Sequence, residues 1–180
     1  MSTSKSKKRI KIVESIASAI SSNKIFDVID YRRRNEDYIK QYMHQPLINE
    51  LEQLYKEFEL TKSTDADIIR QKAKNCLLWE GDVNTTVNNF TFFGTHHRPD
   101  FIVKIDSFQV AVEVKKGETG HSLREGIGQS LVYASQFDFV VYLYVDISKD
   151  KKIKDSATQP QEQELIDDLW ENHNVMFRVC

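Results

Sequence analysis

Seven consecutive residues, Phe139 to Val145 (FVVYLYV), carry no charge and no polar atom beyond two tyrosine hydroxyls. A strand with one solvated face alternates apolar and polar positions. An unbroken apolar run of this length instead predicts a strand covered on both faces, which needs helices above and below the sheet. The flanking patterns supply them. His121 to Phe137 has helical spacing through Leu123, Ile127, Leu131 and Ala134, the expected buried line, and Gln161 to Asn172 has it through Leu165, Ile166, Leu169 and Trp170. Val175 to Val179 then closes with another strand. Lys149 to Gln159, polar and charged, reads as a loop.

Upstream the periodicity is helical until Gly81. A first helix is expected over about Ile10 to Ala19. A second covers Glu36 to Glu59, with Tyr38, Tyr42, Leu47, Leu51, Leu54, Tyr55 and Phe58 as its stripe and Pro46 interrupting or kinking it. A third starts after Ser63 or Thr64 as N-cap and runs to Trp79 or Glu80, where Gly81 ends it. Beyond Gly81, Val83 to Phe93 suits one long or two short strands. Asp100 to Ile105 (DFIVKI) and Phe108 to Lys115 (FQVAVEVK) read as antiparallel neighbours joined through Asp106-Ser107. From residue 64 the order is helix, strands, helix, strand, helix, strand. The fold class is therefore α/β, a central mixed sheet flanked by helices, with residues 1–62 as a basic N-terminal helical extension and 63–180 as the main domain.

The chain has 180 residues, 40% hydrophobic and 29% charged, enough apolar mass for a core and far from disordered or collagen-like composition. No stretch nears the roughly 18 to 20 apolar residues of a membrane span. The basic start lacks the apolar block of a secretory signal. Cys76 and Cys180 stand at no metal-ligand spacing, which argues against a disulfide scaffold and for a reducing, cytoplasmic setting. The net charge of -2 hides an asymmetry: residues 1–40 hold ten Lys/Arg against five Asp/Glu. A basic segment on an acidic body suits contact with phosphates, and is equally the pattern of a solvated arm.

The chemistry concentrates in FQVAVEVK. A period of two sends Phe108, Val110, Val112 and Val114 to one face, and Gln109, Ala111, Glu113 and Lys115 to the other. Charge inside a sheet costs several kcal/mol unless it is compensated. Asp100 begins the neighbouring strand, so a hairpin brings it close to Glu113. Two carboxylates and an ammonium at one sheet edge suit a divalent cation, since Mg2+ accepts one or two carboxylates plus water and phosphate oxygens. Such an ion can activate water and neutralise charge on a scissile phosphate. Lys115 is placed to orient or deprotonate that water, or to stabilise the developing charge.

Pro99-Asp100, a hydrophobic strand, then Glu113-Val114-Lys115 resembles the active-site motif of the PD-(D/E)XK nucleases. Gln129-Ser-Leu-Val-Tyr133 in the next helix resembles the QxxxY element of their RecB-like branch. The family core is a helix, a three-stranded meander, a helix and a further strand, the order expected here over about residues 64–145. The resemblance implies a restriction-endonuclease-like core and a metal-dependent DNA endonuclease that hydrolyses phosphodiester bonds with a metal-activated water. It implies that Asp100 and Glu113 bind Mg2+ or Mn2+, that Lys115 is the catalytic lysine, and that Gln129 and Tyr133 brace the site or touch DNA. Many members add a glutamate from the helix before the meander, and Glu80 is the candidate for that third ligand. Arg98, Lys116 and Arg124 flank the motif as candidate DNA-backbone contacts, with His96, His97, His121 and Arg32 to Arg34 nearby. Double-strand cleavage would require two sites, hence an expected homodimer or larger nuclease complex. The alternative is a non-catalytic DNA-binding or assembly subunit of a defence or mobile-element complex that retains the nuclease fold.

Overall fold

A computed structural model of the chain describes residues 2–82 and 89–180. Its helices are α1 (Ser2–Ile20), α2 (Asn23–Phe26), α3 (Glu36–Glu57), α4 (Ala66–Cys76), α5 (Gly120–Ala134), α6 (Lys152–Ser156) and α7 (Pro160–His173). The strands are β1 (Leu77–Trp79), β2 (Phe90–Phe92), β3 (Thr95–His97), β4 (Phe101–Ile105), β5 (Phe108–Gly117), β6 (Phe139–Asp146) and β7 (Val175–Val179). Five of them form a mixed sheet in the order β1-β4-β5-β6-β7. The β1–β4 and β4–β5 pairs are antiparallel, and the β5–β6 and β6–β7 pairs are parallel. This is the α/β architecture expected from the sequence. No helix of the described residues is long and apolar enough to cross a membrane.

The apolar run in β6 does what its composition requires: Val140 through Val145 are all fully buried. Val141, Leu143 and Val145 join Val110, Val112 and Val114 of β5 in one core, together with Ile12 and Ile16 of α1 and Met43, Leu47 and Leu51 of α3. Val140, Tyr142 and Tyr144 face the opposite layer, with Tyr133 of α5 and Leu169 of α7. The helices of residues 1–62 thus supply one of the two layers covering the sheet. At about 25 cal/mol per Å² of apolar surface, that shared core is the main stabilising term of the fold.

Local expectations differ from the structure at several points. Asp65, rather than Ser63 or Thr64, caps α4, its carboxylate accepting from the Asp67 and Ile68 N–H groups at 2.8 and 3.3 Å. That helix stops at Cys76, and Leu77–Trp79 pairs with Val103–Phe101 as an edge strand. Three apolar residues fit either element, and the sheet edge decides between them. Pro46 lies inside α3 without ending it, where buried Met43 and Leu47 hold the helix on both sides. Of the strand expected over Val83 to Phe93, positions 83–88 lie outside the described residues. Phe90–Phe92 pairs with Thr95–His97 as a separate ribbon, turning at Phe93 and Gly94, both with positive φ. The expected loop at Lys149–Gln159 contains the short α6.

Helix α5 buries a line of mixed size, with Leu123, Ile127 and Ala134 half-buried against the same layer. Gly126, Ser130 and Tyr133 form the buried line, while Leu131 is 38% exposed. Close approach to β6 explains this. A Cβ on Gly126 would lie 2.2 Å from the Tyr142 hydroxyl, so only a residue without one fits there. The rotation that follows carries Gln129 and Tyr133 to the site described next.

Candidate active site

Strand β5 divides its side chains as the period of two requires. Its valines enter the core shared with α1 and α3, Ala111 enters the opposite layer, and Glu113 is 3% exposed. The register that pairs Phe101 with Val112 places Asp100, one residue earlier, beside Glu113, one residue later. Strand β4 starts only at Phe101, and the Asp100 side chain continues its ladder: Oδ2 accepts the Val114 N–H at 2.7 Å. Lys115 Nζ lies 3.1 Å from Glu113 Oε1. The three residues singled out in the sequence therefore meet, and the hairpin is what brings them together.

Two further residues arrive from α3, and sequence reasoning missed both. Lys40 Nζ is 2.8 Å from Asp100 Oδ1, 3.1 Å from Asp37 Oδ1 and 3.7 Å from Glu36 Oε1. Glu36 Oε2 accepts the Lys116 N–H at 3.0 Å. A signal was present. Positions 36, 40, 43, 47, 51 and 54 recur at helical spacing, and the last four carry buried Met43, Leu47, Leu51 and Leu54. Lys40 continues that apolar line, where a charge needs a partner. Of the expected stripe, Leu47, Leu51 and Leu54 are buried and Tyr38, Tyr55 and Phe58 pack against the core, while Tyr42 is 44% exposed.

These groups line a cleft of ≈ 460 Å³ together with Glu80, Asn89, His96, His97, Arg98, Gln129 and Tyr133. From α5, the Tyr133 hydroxyl donates to the Arg98 carbonyl at 3.1 Å, bracing the turn before Asp100. Two of the cleft's buried acceptors, Glu113 Oε2 and Gln129 Oε1, have no hydrogen-bond partner among the described residues. Buried acceptors are seldom left so, and such an orphan calls for an explanation.

The electrostatics agree. Burial, reinforced by the Asp100 carboxylate and opposed by Lys115, pushes the Glu113 carboxyl up to about 8. Burial also raises Asp100, against the pull of Lys40 and the Val114 N–H. For Lys40, burial would lower the pKa, but Asp100 outweighs it and holds the ammonium above its ordinary range. Glu113 does the same for Lys115 against its own burial. Lys115 is thus a charged donor rather than a ready base.

Glu80 follows β1 rather than ending a helix. Its N–H donates to the Asp100 carbonyl at 3.0 Å, and its carboxylate pairs with Arg98. Among the described residues no three His, Cys, Asp or Glu side chains form a group that could hold a metal ion, so the expected third carboxylate does not join the other two. A divalent cation would rest on Asp100 and Glu113. The orphaned Glu113 Oε2 fits that role, and two carboxylates with water and phosphate oxygens suffice for Mg2+.

The remaining candidates divide. The Lys116 amine donates to the Arg32 and Arg34 carbonyls, fixing that basic loop beside the cleft. Arg124 is exposed on α5 and does not line the cleft, and His121 is exposed at the start of the same helix. Trp79 stacks on Phe101 at 6.1 Å and Trp170 on Phe139 at 5.9 Å, both against the main core. Cys76 and Cys180 are buried free thiols. No family model, curated protein or solved structure matches this chain.

Proposed function

We propose that this chain is a metal-dependent DNA endonuclease of the PD-(D/E)XK type. One observation carries the proposal: Asp100, Glu113 and Lys115 converge on a single open cleft, with Glu113 Oε2 buried and unpartnered. Asp100 and Glu113 would hold Mg2+ or Mn2+, which when bound supplies Lewis acidity and charge neutralisation at the phosphate. Lys115, kept protonated by Glu113, donates to a non-bridging oxygen as negative charge grows there. The Gln129 Oε1, free to accept, orients the attacking water. Water adds to phosphorus in line with the departing ester oxygen, one P–O bond breaks, and a hydroxyl and a phosphate monoester result. Exposed Arg98 and Arg124 contact flanking phosphates, Tyr133 holds the Arg98 backbone in place, and Lys116 acts through the loop it fixes.

A second reading has an observation of its own. Lys40 already neutralises Asp100, as it would in a chain that keeps the fold but serves as a DNA-binding or assembly subunit without cleaving. Supercoiled plasmid incubated with the protein in Mg2+, Mn2+ or EDTA separates the two. The nuclease nicks only with metal and loses that activity in Asp100→Asn and Lys115→Gln. Salt-sensitive DNA binding with no nicking under any condition supports the second reading instead.

A further inference from the structure

Lys40 is in contact with the acidic pair, yet the proposed reaction has no use for it. Its ammonium sits 2.8 Å from Asp100 Oδ1, and the Val114 N–H holds Oδ2 at 2.7 Å, so both oxygens of Asp100 are engaged. The free acceptor lies next door, at Glu113 Oε2. A divalent cation held by Asp100 and Glu113 would take a lone pair on one of these oxygens while the ammonium keeps Oδ1. The carboxylate has lone pairs for both, but two positive charges on one carboxylate would stand only about 3–5 Å apart in a poorly solvated site, where their repulsion is strong. One must leave.

Lys40 has somewhere to go. Asp37 Oδ1 and Glu36 Oε1 lie 3.1 and 3.7 Å from Nζ, at i−3 and i−4 on the same face of α3. Asp37 is 80% exposed, so a small rotation of the lysine toward it moves the charge outward, into water. We infer that Lys40 is a resident counter-ion of the acidic pair, displaced from Asp100 onto Asp37 and Glu36 when a divalent cation enters. The inference rests on the metal-dependent reading above. It gives the Lys40–Asp100 pair a role within that reading: it satisfies the buried carboxylate before metal arrives and weakens metal binding by competition. Lys40 is a positioning residue, since it acts through Asp100 rather than on the phosphate.

The test is calorimetric titration of Mn2+ into wild type, Lys40→Gln and Glu113→Gln. A displaced hydrogen bond to a charged group corresponds to a factor of roughly ten to one hundred, so Lys40→Gln should bind Mn2+ about tenfold or more tightly than wild type. Glu113→Gln should give no binding heat. Lys40→Gln binding Mn2+ no better than wild type overturns the inference while leaving the metal site intact. Absence of heat in wild type and Lys40→Gln alike overturns the metal-dependent reading and this inference with it. Amine acetylation of the wild type, followed by peptide mass mapping, does not depend on the variant folding. Lys40 should label faster in Mn2+ than in EDTA while exposed Lys104 labels equally in both. Unchanged or slower labelling of Lys40 in Mn2+ overturns the displacement.

Discussion

Lys40 and Asp100 are 60 residues apart in the chain and 2.8 Å apart in the fold, and their side chains are only 10% and 7% exposed. The contact ties α3 to the head of β4. The two partners are not equally dependent on it. Without Asp100, Lys40 keeps Asp37 and Glu36; without Lys40, Asp100 keeps, among the described residues, the Val114 N–H alone, beside the buried Glu113 side chain. Breaking a buried pair costs about 3–5 kcal/mol when a charge is stranded. Metal-free urea denaturation near neutral pH should show a loss of that size for Lys40→Met. The loss for Asp100→Asn should be smaller, about 1–2 kcal/mol, since it strands no charge. Equal losses would contradict the asymmetry.

Lys115 should matter for the reaction and little for binding. Removing one donor from a developing oxyanion typically costs about 100- to 1,000-fold in rate. Plasmid nicking by Lys115→Gln at saturating DNA should fall by that range, with duplex affinity within about threefold of wild type. A rate within tenfold of wild type would remove Lys115 from the reaction.

Glu113 makes metal-free stability depend on pH in an unusual direction. Its carboxyl titrates near 8 in the folded chain and at about 4.3 in an unfolded one, so across that interval the native state holds a proton the unfolded state has released. Stability is therefore full below the unfolded value and falls as pH rises toward 8, by at most about 1.4 kcal/mol per unit. Asp100, also raised, adds in the same direction. Lys40 and Lys115, raised from an already high value, stay protonated in both states and contribute no slope in this window. Denaturation in EDTA between pH 5 and 8 should show this decline, and Glu113→Gln should flatten most of it. A decline that persists undiminished in Glu113→Gln would place its source elsewhere.

The loop carrying Arg32, Arg33 and Arg34 is held against the end of β5 by Lys116, and the Arg33 side chain is 88% exposed. If it meets a phosphate, Arg33→Ala in a Glu113→Gln background should weaken duplex binding and reduce the slope of log affinity against log salt by about one. Lys116→Met should weaken binding similarly by releasing the loop. An unchanged salt slope in Arg33→Ala would return that arginine to the solvated surface.

The sheet and the hairpin were legible because their signals are local. FVVYLYV dictates coverage on both faces, and the alternation in FQVAVEVK fixes which face Glu113 and Lys115 share. The α3 contribution was harder to find. Nothing within α3 says which strand end its polar first turn will meet, and Lys40 reads as one more cation of a basic segment unless its place on the Met43–Leu47–Leu51 line is noticed. The end of α4 is ambiguous in the sequence because Leu77, Leu78 and Trp79 satisfy a helix face and an edge strand alike, and only pairing with β4 selects the strand. On α5, Leu123, Ile127 and Ala134 pack against the core as expected, but Leu131 turns outward and the most buried line is Gly126, Ser130 and Tyr133, where Tyr142 comes close across the gap.

Diffraction from Mn2+-soaked crystals, collected for the anomalous signal of manganese, reaches the central claim most directly. A nuclease centre at the β4–β5 hairpin predicts anomalous density within coordination distance of both an Asp100 oxygen and Glu113 Oε2, with the Lys40 ammonium turned toward Asp37. A map with no peak between those two carboxylates, and Lys40 still seated on Asp100, would contradict it.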